Sequence, residues 1–305
     1  MTINKILESF IQAQSLPKSY VDTALKWFMP IATALNKHQT SAAQTIIVGI
    51  NGCQGSGKST LTQLLCELLP RHFNKTCIGM SIDDFYLSKQ ARQDLSQTVH
   101  PLFATRGVPG THDTGLLLQC LRQLKQKQNT VIPHFDKSKD DLVARHSWST
   151  VDSPVDIVIL EGWCVGIDAQ PSSLLDPAIN SLERERDPNG IWRQYVNQQL
   201  KDSYQEVFAL IDTLVFLQTP SFDTVFNWRC EQEHKLIAKL QQHKMPESAE
   251  SDITHLTGIM SDAQIAMFVQ YYERLTKHAL QTLPAKSDII VSLNQSRGID
   301  ACLIK

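Results

Sequence analysis

The chain has 305 residues, a formal net charge of −2 and 42% hydrophobic residues. This length and composition are typical of a folded globular protein with one large domain, or with two small ones. The near-neutral charge argues against a nucleic-acid-binding protein, which usually carries a basic excess. No apolar run approaches the ~20 residues of a membrane span, and residues 1–5 do not resemble the start of a secretory signal.

The cysteines and histidines predict no metal or disulfide framework. Seven cysteines are scattered without a C-x-x-C pair, a pattern typical of reduced thiols, and we therefore expect a cytoplasmic protein. The histidines at 100, 112, 134 and 146 match no zinc-ligand spacing. Nothing in the sequence predicts an oligomeric state.

The first 40 residues are predicted to form two helices that pack on the core. Pro17 suits the first turn of the second helix. Apolar residues of that helix recur at helical spacing and are expected on one buried face: Val21, Ala24, Leu25 and Phe28. No functional motif occurs in residues 1–40, so their role stays open, and residues 41–305 are taken as the main domain.

The main domain alternates apolar strand candidates with long crossovers. The five candidates are residues 46–50, 76–82, 155–160, 213–217 and 289–293. Several are apolar throughout, which indicates an α/β fold with a parallel sheet buried on both faces. Residues 164–208 look like an insertion, and residues 221–260 look like a second, largely polar one. Ligands of such sheets bind at the carboxyl ends of the strands.

The first strand leads into a complete G-x-x-x-x-G-K-[ST] phosphate-binding loop, and an amphipathic helix pattern follows it. The loop is Gly52, Cys53, Gln54, Gly55, Ser56, Gly57, Lys58 and Ser59. Its glycines let backbone N–H groups turn toward an anion, and the helix N-terminus adds unpaired N–H groups. We expect Lys58 to reach the outer phosphates, Ser59 to ligate Mg²⁺ and Thr60 to contact the α-phosphate. The loop therefore predicts a nucleoside triphosphate bound with Mg²⁺.

Carboxylates follow the second and third strand candidates. Asp83 and Asp84 come after the second strand, and Glu161 comes after the third. A carboxylate that faces a phosphate loop can take the proton of an attacking hydroxyl or hold Mg²⁺. Asp83 is the candidate general base, while Asp84 and Glu161 are candidate Mg²⁺ ligands, partly through water. The alternatives are turn or cap carboxylates at 83 and 84 and a structural glutamate at 161.

A stiff segment at residues 106–113 contains two glycines and a proline. Such a segment is suited to hold the Arg106 guanidinium toward an anionic substrate. Asp113, at its end, is alternatively the N-cap of the next helix.

Several short motifs point together to one family. Ser-x-Asp-x-Phe-Tyr at 81–86, Pro-x-Phe-Asp at 133–136 and Glu-Gly at 161–162 accompany the phosphate loop. With them, the chain resembles the P-loop small-molecule kinases of the phosphoribulokinase, uridine kinase and pantothenate kinase group. Longer motifs are Arg-Gly-x-Pro-Gly-Thr-His-Asp at 106–113, Phe-Asp-Lys-Ser at 135–138 and Trp-Arg-x-x-Gln-Glu at 228–233. These motifs are similar to those of the glycerate 3-kinase family.

The resemblance implies a P-loop NTPase kinase fold, in which helices flank a parallel five-stranded central sheet and residues 221–260 form a helical lid. It also implies ATP with Mg²⁺, and phosphorylation of a primary hydroxyl. By family position, the catalytic residues would be Lys58, Asp83, Glu161 and Arg229. Asp83 would take the hydroxyl proton, Glu161 would lie near Mg²⁺, and Arg229 would stabilise the transferring phosphoryl group. The alternative for Arg229 is a surface pair with Glu233 on one helix.

The acceptor implied by the resemblance is glycerate, a small anion that needs a cation fork and little apolar area. Arg106 is the first candidate for that fork, with Arg145 and Arg193 as others. The predicted acceptor-binding residues are Asp84, Tyr86, Arg106, His112, Asp136 and Arg145.

Three functions compete at this point. The first is an ATP-dependent kinase that converts D-glycerate to 3-phosphoglycerate, and the second is a related kinase of another small hydroxy compound, such as pantothenate or a nucleoside. The third is a P-loop NTPase that works as a switch. A switch needs neither an acceptor pocket nor a base, so the Asp83–Asp84 pair and the Arg106 segment favour a transferase.

Overall fold

The computed structural model of the protein describes residues 2–152, 154–242 and 260–305. Part of the predicted lid, at 243–259, therefore lies outside the described residues. The side chain of Glu233, the alternative partner of Arg229, also lies outside them.

Six strands form the central sheet, and four short strands form two ribbons beside it. Numbered along the chain, the strands are β1 (Ile46–Gly52), β2 (Cys77–Ser81), β3 (Thr130–Ile132), β4 (Phe135–Asp136), β5 (Asp141–Leu142), β6 (Ser149–Val151), β7 (Ile157–Gly162), β8 (Thr213–Gln218), β9 (Ile289–Leu293) and β10 (Ile299–Ile304). The sheet order is β10-β9-β8-β1-β7-β2. The five predicted strands are confirmed, and they pair in parallel. The sixth, β10, was not predicted and pairs antiparallel with β9 at one edge.

Helices cover both faces of this sheet. They are α1 (Ile3–Ala13), α2 (Tyr20–Thr23), α3 (Met29–Ala42), α4 (Lys58–Phe73), α5 (Lys89–Thr98), α6 (Thr114–Lys125), α7 (Ser181–Arg186), α8 (Ile191–Gln199), α9 (Gln205–Phe208), α10 (Phe222–Gln242) and α11 (Asp262–Lys286). Short 3₁₀ turns lie at Ile82–Phe85, Pro101–Ala104, Arg145–Ser147 and Ser172–Leu174, and π-helical turns at Ala24–Phe28 and Leu200–Tyr204. Within the described ranges, no helix combines the length and apolar character needed to cross a membrane.

The sheet separates two apolar cores, because successive residues of its buried strands point to opposite faces. One core joins strand residues such as Val158 to α6, α8, α9 and α11. The other joins residues such as Ile157 to α1, α3 and α4. The N-terminal helices thus lie on the same face of the sheet as the helix that follows the phosphate loop.

The predicted buried face of the second N-terminal helix is wrong at one position. Ala24 and Phe28 are buried, but Leu25 is 38% exposed. These residues belong to the π-helical turn between α2 and α3. A π turn carries more residues than an α-helical turn, so it rotates the following side chains away from the expected face.

The predicted insertion, residues 164–208, is mostly helical and is tied to α11 by a buried ion pair. Arg274 donates to Glu183 through Nε at 2.8 Å and through Nη2 at 2.6 Å. The side chains of both residues are less than a tenth exposed. Arg274 also donates to the carbonyl oxygen of Leu174 at 2.7 Å. The guanidinium is therefore well satisfied, as a buried charge must be.

Removal of this arginine should destabilise the protein strongly. Arg274→Ala leaves the Glu183 carboxylate buried without its cation, and we expect the free energy of unfolding to fall by about 3–5 kcal/mol. Urea unfolding measures this change. The control is Lys277→Ala, which removes an exposed ion pair of the same helix with Glu273 and should cost less than about 1 kcal/mol. Equal effects of the two variants would contradict this account of the insertion.

Candidate active site

The loop after β1 has the backbone form of a phosphate-binding loop. Gly55 and Gly57 have φ of 81° and 89°, in the left-handed region that favours glycine. A Cβ on Gly52 would lie 2.5 Å from the Oγ of Ser56, so a side chain does not fit there. Burial raises the pKa of the Cys53 thiol to about 12, which makes it a protonated and unreactive member of the loop.

Parallel pairing of β7 with β1 brings Glu161 beside the start of α4. Ser59 Oγ donates to Glu161 Oε1 at 2.8 Å, and Lys58 Nζ lies 3.7 Å from Oε2. Glu161 Oε2 is buried and accepts no hydrogen bond from the described residues. A hydroxyl and a carboxylate are hard oxygen donors of the kind that Mg²⁺ prefers, with waters as its remaining ligands. Ser59 and Glu161 therefore fit the predicted magnesium site.

Asp83 lies in the 3₁₀ turn that follows β2. Tyr86 OH donates to its Oδ1 at 2.9 Å, and Lys137 Nζ donates to its Oδ2 at 2.6 Å. Burial acts to raise the pKa of the Asp83 carboxyl, but Lys137 and Lys58 outweigh it and lower the pKa to about 2. Asp83 is therefore ionised at any physiological pH and is held by side chains rather than by turn N–H groups.

Asp84 has different neighbours. Its Oδ1 accepts a hydrogen bond from the backbone N–H of Phe135 at 3.3 Å and lies 3.7 Å from His134 Nδ1. Burial raises the pKa of this carboxyl. In the described part of the chain, no hydrogen bond joins Asp84 to Ser59 or Glu161. The structure thus brings Asp84 to the ribbon β4–β5 and not to the phosphate loop.

Arg106 precedes a close-packed turn that requires glycine. Gly107 has φ of 137°, and a Cβ at this position would overlap the hydroxyl of Tyr272. The Arg106 guanidinium forms an ion pair with Asp140. Arg92 Nη2 lies 3.0 Å from Asp140 Oδ2 and donates to the carbonyl oxygen of Asp140 at 2.6 Å, and Arg92 is almost completely buried. This buried arginine fixes the carboxylate that orients Arg106.

His112 lies behind Tyr86 rather than among the cations. Its ring stacks on Tyr86 with centroids 4.4 Å apart, and its Nδ1 lies 2.6 Å from Tyr204 OH. Burial lowers the pKa of His112 to about 4, so the imidazole is neutral near pH 7. His112 therefore supports Tyr86, which binds Asp83, and carries no charge for an anionic acceptor.

The other predicted residues lie away from Lys58, Asp83 and Arg106. Asp136 accepts hydrogen bonds from the turn that follows it, and Arg145 is exposed. Arg193 is buried and donates to Asp187 at 2.9 Å, so its charge is used within residues 164–208 and does not face the acceptor. Asp113 caps α6, as its alternative role predicted.

A cavity of about 590 Å³ lies on one side of the phosphate loop. Its cations are Lys58, Arg106, Lys137 and Arg229, and its carboxylates are Asp83 and Asp140. Its aromatic and apolar wall consists of Tyr86, Trp163, Met260, Phe268 and Tyr272. The helix α10 carries Arg229, which lines this cavity. The predicted site residues Lys58, Asp83, Tyr86, Arg106 and Arg229 therefore line one cavity, together with Gln54 and Gly55 of the phosphate loop.

Sequence reasoning missed several lining residues. Lys137 stands inside the quoted Phe-Asp-Lys-Ser motif, but the prediction singled out Asp136 instead. Asp140 has φ of 56° at the tip of a two-residue ribbon, which no hydrophobic pattern reveals. Trp163 follows the Glu-Gly pair directly, and its Nε1 donates to the carbonyl oxygen of Gly107 at 2.9 Å. The signal that could have identified Lys137 was its position, as a charged residue, inside a motif already linked to the site.

The arrangement distinguishes between uses of the bound nucleotide. Hydrolysis of the nucleotide alone would not need a cation-lined acceptor cavity with a carboxylate in it. Phosphoryl transfer to a bound hydroxyl needs both the cavity and the carboxylate. The fold and the site therefore define a P-loop kinase.

Comparison with known proteins agrees with this class. Residues 47–183 match the phosphoribulokinase / uridine kinase family. The chain is 33% identical to the uncharacterized kinase mug58 of Schizosaccharomyces pombe, over 78% of this chain and 82% of that protein. It is 26% identical to the chloroplastic D-glycerate 3-kinase of Arabidopsis thaliana, over 79% of this chain and 49% of that protein.

A solved structure is also similar. The D-glycerate 3-kinase of Cryptococcus neoformans var. grubii superposes with a TM-score of 0.71 at 27% identity, over 89% of this chain and 96% of that one. The chain belongs to the phosphoribulokinase/uridine kinase family.

The Ser59 hydroxyl should matter only when Mg²⁺ is present. In Ser59→Ala, the gain in ADP affinity that Mg²⁺ provides should fall about tenfold or more, while binding of ADP in EDTA should stay nearly unchanged. Calorimetric titration with and without Mg²⁺ measures both. Thr33→Ala, which removes an exposed hydroxyl of α3, is the control. Equal losses in both buffers would show that Ser59 supports the loop itself instead of the metal.

Proposed function

We propose that the protein is an ATP-dependent kinase that phosphorylates D-glycerate to 3-phosphoglycerate. The observation that carries the proposal is Asp83, an ionised carboxylate in a cavity that also contains Lys58 and three further cations. Such a cavity suits a small acceptor that carries both a hydroxyl and a negative charge. The D-glycerate 3-kinases among the similar proteins support the same acceptor.

The proposed reaction is a direct displacement. The primary hydroxyl oxygen attacks the γ-phosphorus of ATP, the bond to the β–γ bridging oxygen breaks, and ADP leaves. The hydroxyl proton passes to Asp83. Because the pKa of Asp83 is about 2, this transfer comes late, after the forming P–O bond has made the hydroxyl acidic. Lys58 and Arg229 stabilise charge on the equatorial oxygens, and Mg²⁺, bound by Ser59 and Glu161, would neutralise the phosphate oxygens.

Recognition of the acceptor carboxylate is assigned to Arg106, as the sequence predicted, together with Lys137. Asp140 orients the Arg106 guanidinium, and buried Arg92 in turn holds Asp140. A guanidinium fixed in this way loses little side-chain entropy when it binds an anion.

A second candidate is a kinase of a larger hydroxy compound. Trp163, Phe268 and Tyr272 give the cavity an aromatic wall, and its volume of about 590 Å³ exceeds what a three-carbon acid fills. This wall favours an acceptor with an apolar part, such as pantothenate or a nucleoside.

The acceptor is tested by an ADP-release assay with ATP and Mg²⁺. The panel contains D-glycerate, L-glycerate, pantothenate, uridine and a reaction without acceptor. Stimulation by D-glycerate, with 3-phosphoglycerate as the identified product, supports the first candidate. Stimulation by pantothenate or uridine alone supports the second. If no compound accelerates ADP release, a P-loop NTPase switch becomes the better description.

Replacement of the proposed base should reduce catalysis and spare nucleotide binding. Asp83→Asn should lower kcat ~10²–10⁴-fold, the usual contribution of a general base, with ADP affinity nearly unchanged. The matched control is Asp84→Asn, which changes the neighbouring carboxylate that does not line the cavity. Normal turnover of the Asp83 variant would remove this residue from the mechanism. An equal loss of kcat in Asp84→Asn would show that Asp84 also contributes to catalysis.

Replacement of Lys137, which forms an ion pair with Asp83, should change the pH dependence of catalysis. Burial raises the pKa of the Asp83 carboxyl and Lys137 lowers it, so this pKa should rise in Lys137→Met. As a base, Asp83 is active when ionised, so the acid limb of the kcat/KM profile should move to higher pH. Lys139→Met, which removes an exposed lysine paired with Asp136, should leave the limb in place. Coincident profiles of the two variants would contradict the pairing of Lys137 with the base.

A further inference from the structure

Both carboxylate oxygens of Asp83, the proposed base, already accept a hydrogen bond in the protein without ligands. Tyr86 OH donates to Oδ1 at 2.9 Å, and Lys137 Nζ donates to Oδ2 at 2.6 Å. All three residues line the cavity beside the phosphate loop. A hydroxyl that enters this cavity therefore meets a carboxylate whose charge is paired with an ammonium group.

The two partners of Asp83 differ in how firmly their side chains are packed. Tyr86 is buried and stacks on His112 with centroids 4.4 Å apart, so packing fixes its hydroxyl. The side chain of Lys137 is 59% exposed, against 17% for Lys58. Lys137 can therefore leave Asp83 without the loss of packing that a movement of Tyr86 would cause.

The backbone around Lys137 is held more firmly than its side chain. Lys137 lies in the turn between β4 and β5, where Asp136 Oδ1 accepts the backbone N–H of Ser138 at 2.9 Å. At the end of this turn, buried Arg92 donates to the carbonyl oxygen of Asp140 at 2.6 Å. The Lys137 ammonium group thus stays at the cavity when it exchanges one anion for another.

Water is the competing acceptor in such a cavity. In hydrolysis, a water oxygen attacks the γ-phosphorus of ATP, the bond to the β–γ bridging oxygen breaks, and one water proton passes to Asp83. The products are ADP and inorganic phosphate. A carboxylate that is paired with the Lys137 ammonium group is a weak base for this proton.

We propose that Lys137 makes phosphoryl transfer selective for the acceptor over water. Without acceptor, Lys137 stays on Asp83 and keeps water from using the base. A negatively charged acceptor draws the ammonium group to its own carboxylate, and Asp83 Oδ2 then accepts the proton of the acceptor hydroxyl. This inference rests on the proposed kinase function, because it needs ATP on the phosphate loop and Asp83 as the base.

The test measures phosphate release from ATP and Mg²⁺ without any acceptor. In Lys137→Met, which keeps a side chain of similar length without the charge, this rate should rise about tenfold, part of the ~10²–10⁴-fold that a general base contributes. Lys137→Arg keeps a cation beside Asp83 and should restore most of the suppression. Lys139→Met removes an exposed lysine of the same turn, paired with Asp136, and should match the unaltered protein.

A double variant shows whether the effect passes through the base. In Asp83→Asn/Lys137→Met, the extra hydrolysis should disappear, because no carboxylate remains to take the proton from water. If loss of Lys137 merely opened the cavity to water, the extra hydrolysis would persist in the double variant.

Two outcomes would overturn the proposal: an unchanged rate of hydrolysis in Lys137→Met, or extra hydrolysis that persists in the double variant. Neither result depends on the acceptor. If D-glycerate is phosphorylated but Lys137→Met hydrolyses ATP no faster than the unaltered protein, the kinase function stands and this inference fails. If Lys137→Met gains hydrolysis through Asp83 but no compound of the panel is phosphorylated, suppression of hydrolysis by Lys137 stands and the proposed acceptor fails.

Discussion

The parallel pairing of β1 with β7 is the interaction on which the site depends. Its register places Ile50 opposite Glu161, so the carboxylate lies beside the strand that leads into the phosphate loop. Asn51 fixes the exit of both strands, because its Nδ2 donates to the carbonyl oxygens of Trp163 and Val165 at 3.0 and 2.7 Å. Since β1 is buried at every position, core packing anchors the loop before any ligand is present.

Charge at Asp83 is set by two opposed effects, burial and the cations around it. The cations prevail in the free protein, so the carboxylate is ionised but weakly basic. In the proposed reaction, bound phosphates and an anionic acceptor bring negative charge to the same cations. That charge would raise the pKa of Asp83 toward the range of a useful base. The cavity therefore links the basicity of Asp83 to the presence of its substrates.

The sequence predicted the features that depend on local pattern. Five strands were recognisable as apolar runs, and the phosphate loop by its motif. The edge strand β10 was missed because its apolar run, residues 301–304, is short and most of the strand is exposed. Arg193 was one of the alternative candidates for the acceptor's cation fork, but it pairs with Asp187. Lys137 reaches Asp83 through a ribbon of two-residue strands, and such contacts follow from tertiary structure alone.

A cavity of about 470 Å³ beside the phosphate loop has walls from two segments distant in sequence, one with Tyr20 and the other with Arg297. The two walls face each other only when the whole chain is folded. A ligand held between Tyr20 and Arg297 would therefore recognise the native chain and not its partly folded forms. It would protect the N-terminal helices from local unfolding, and their amide protons from exchange, although those helices hold none of the phosphate-binding residues.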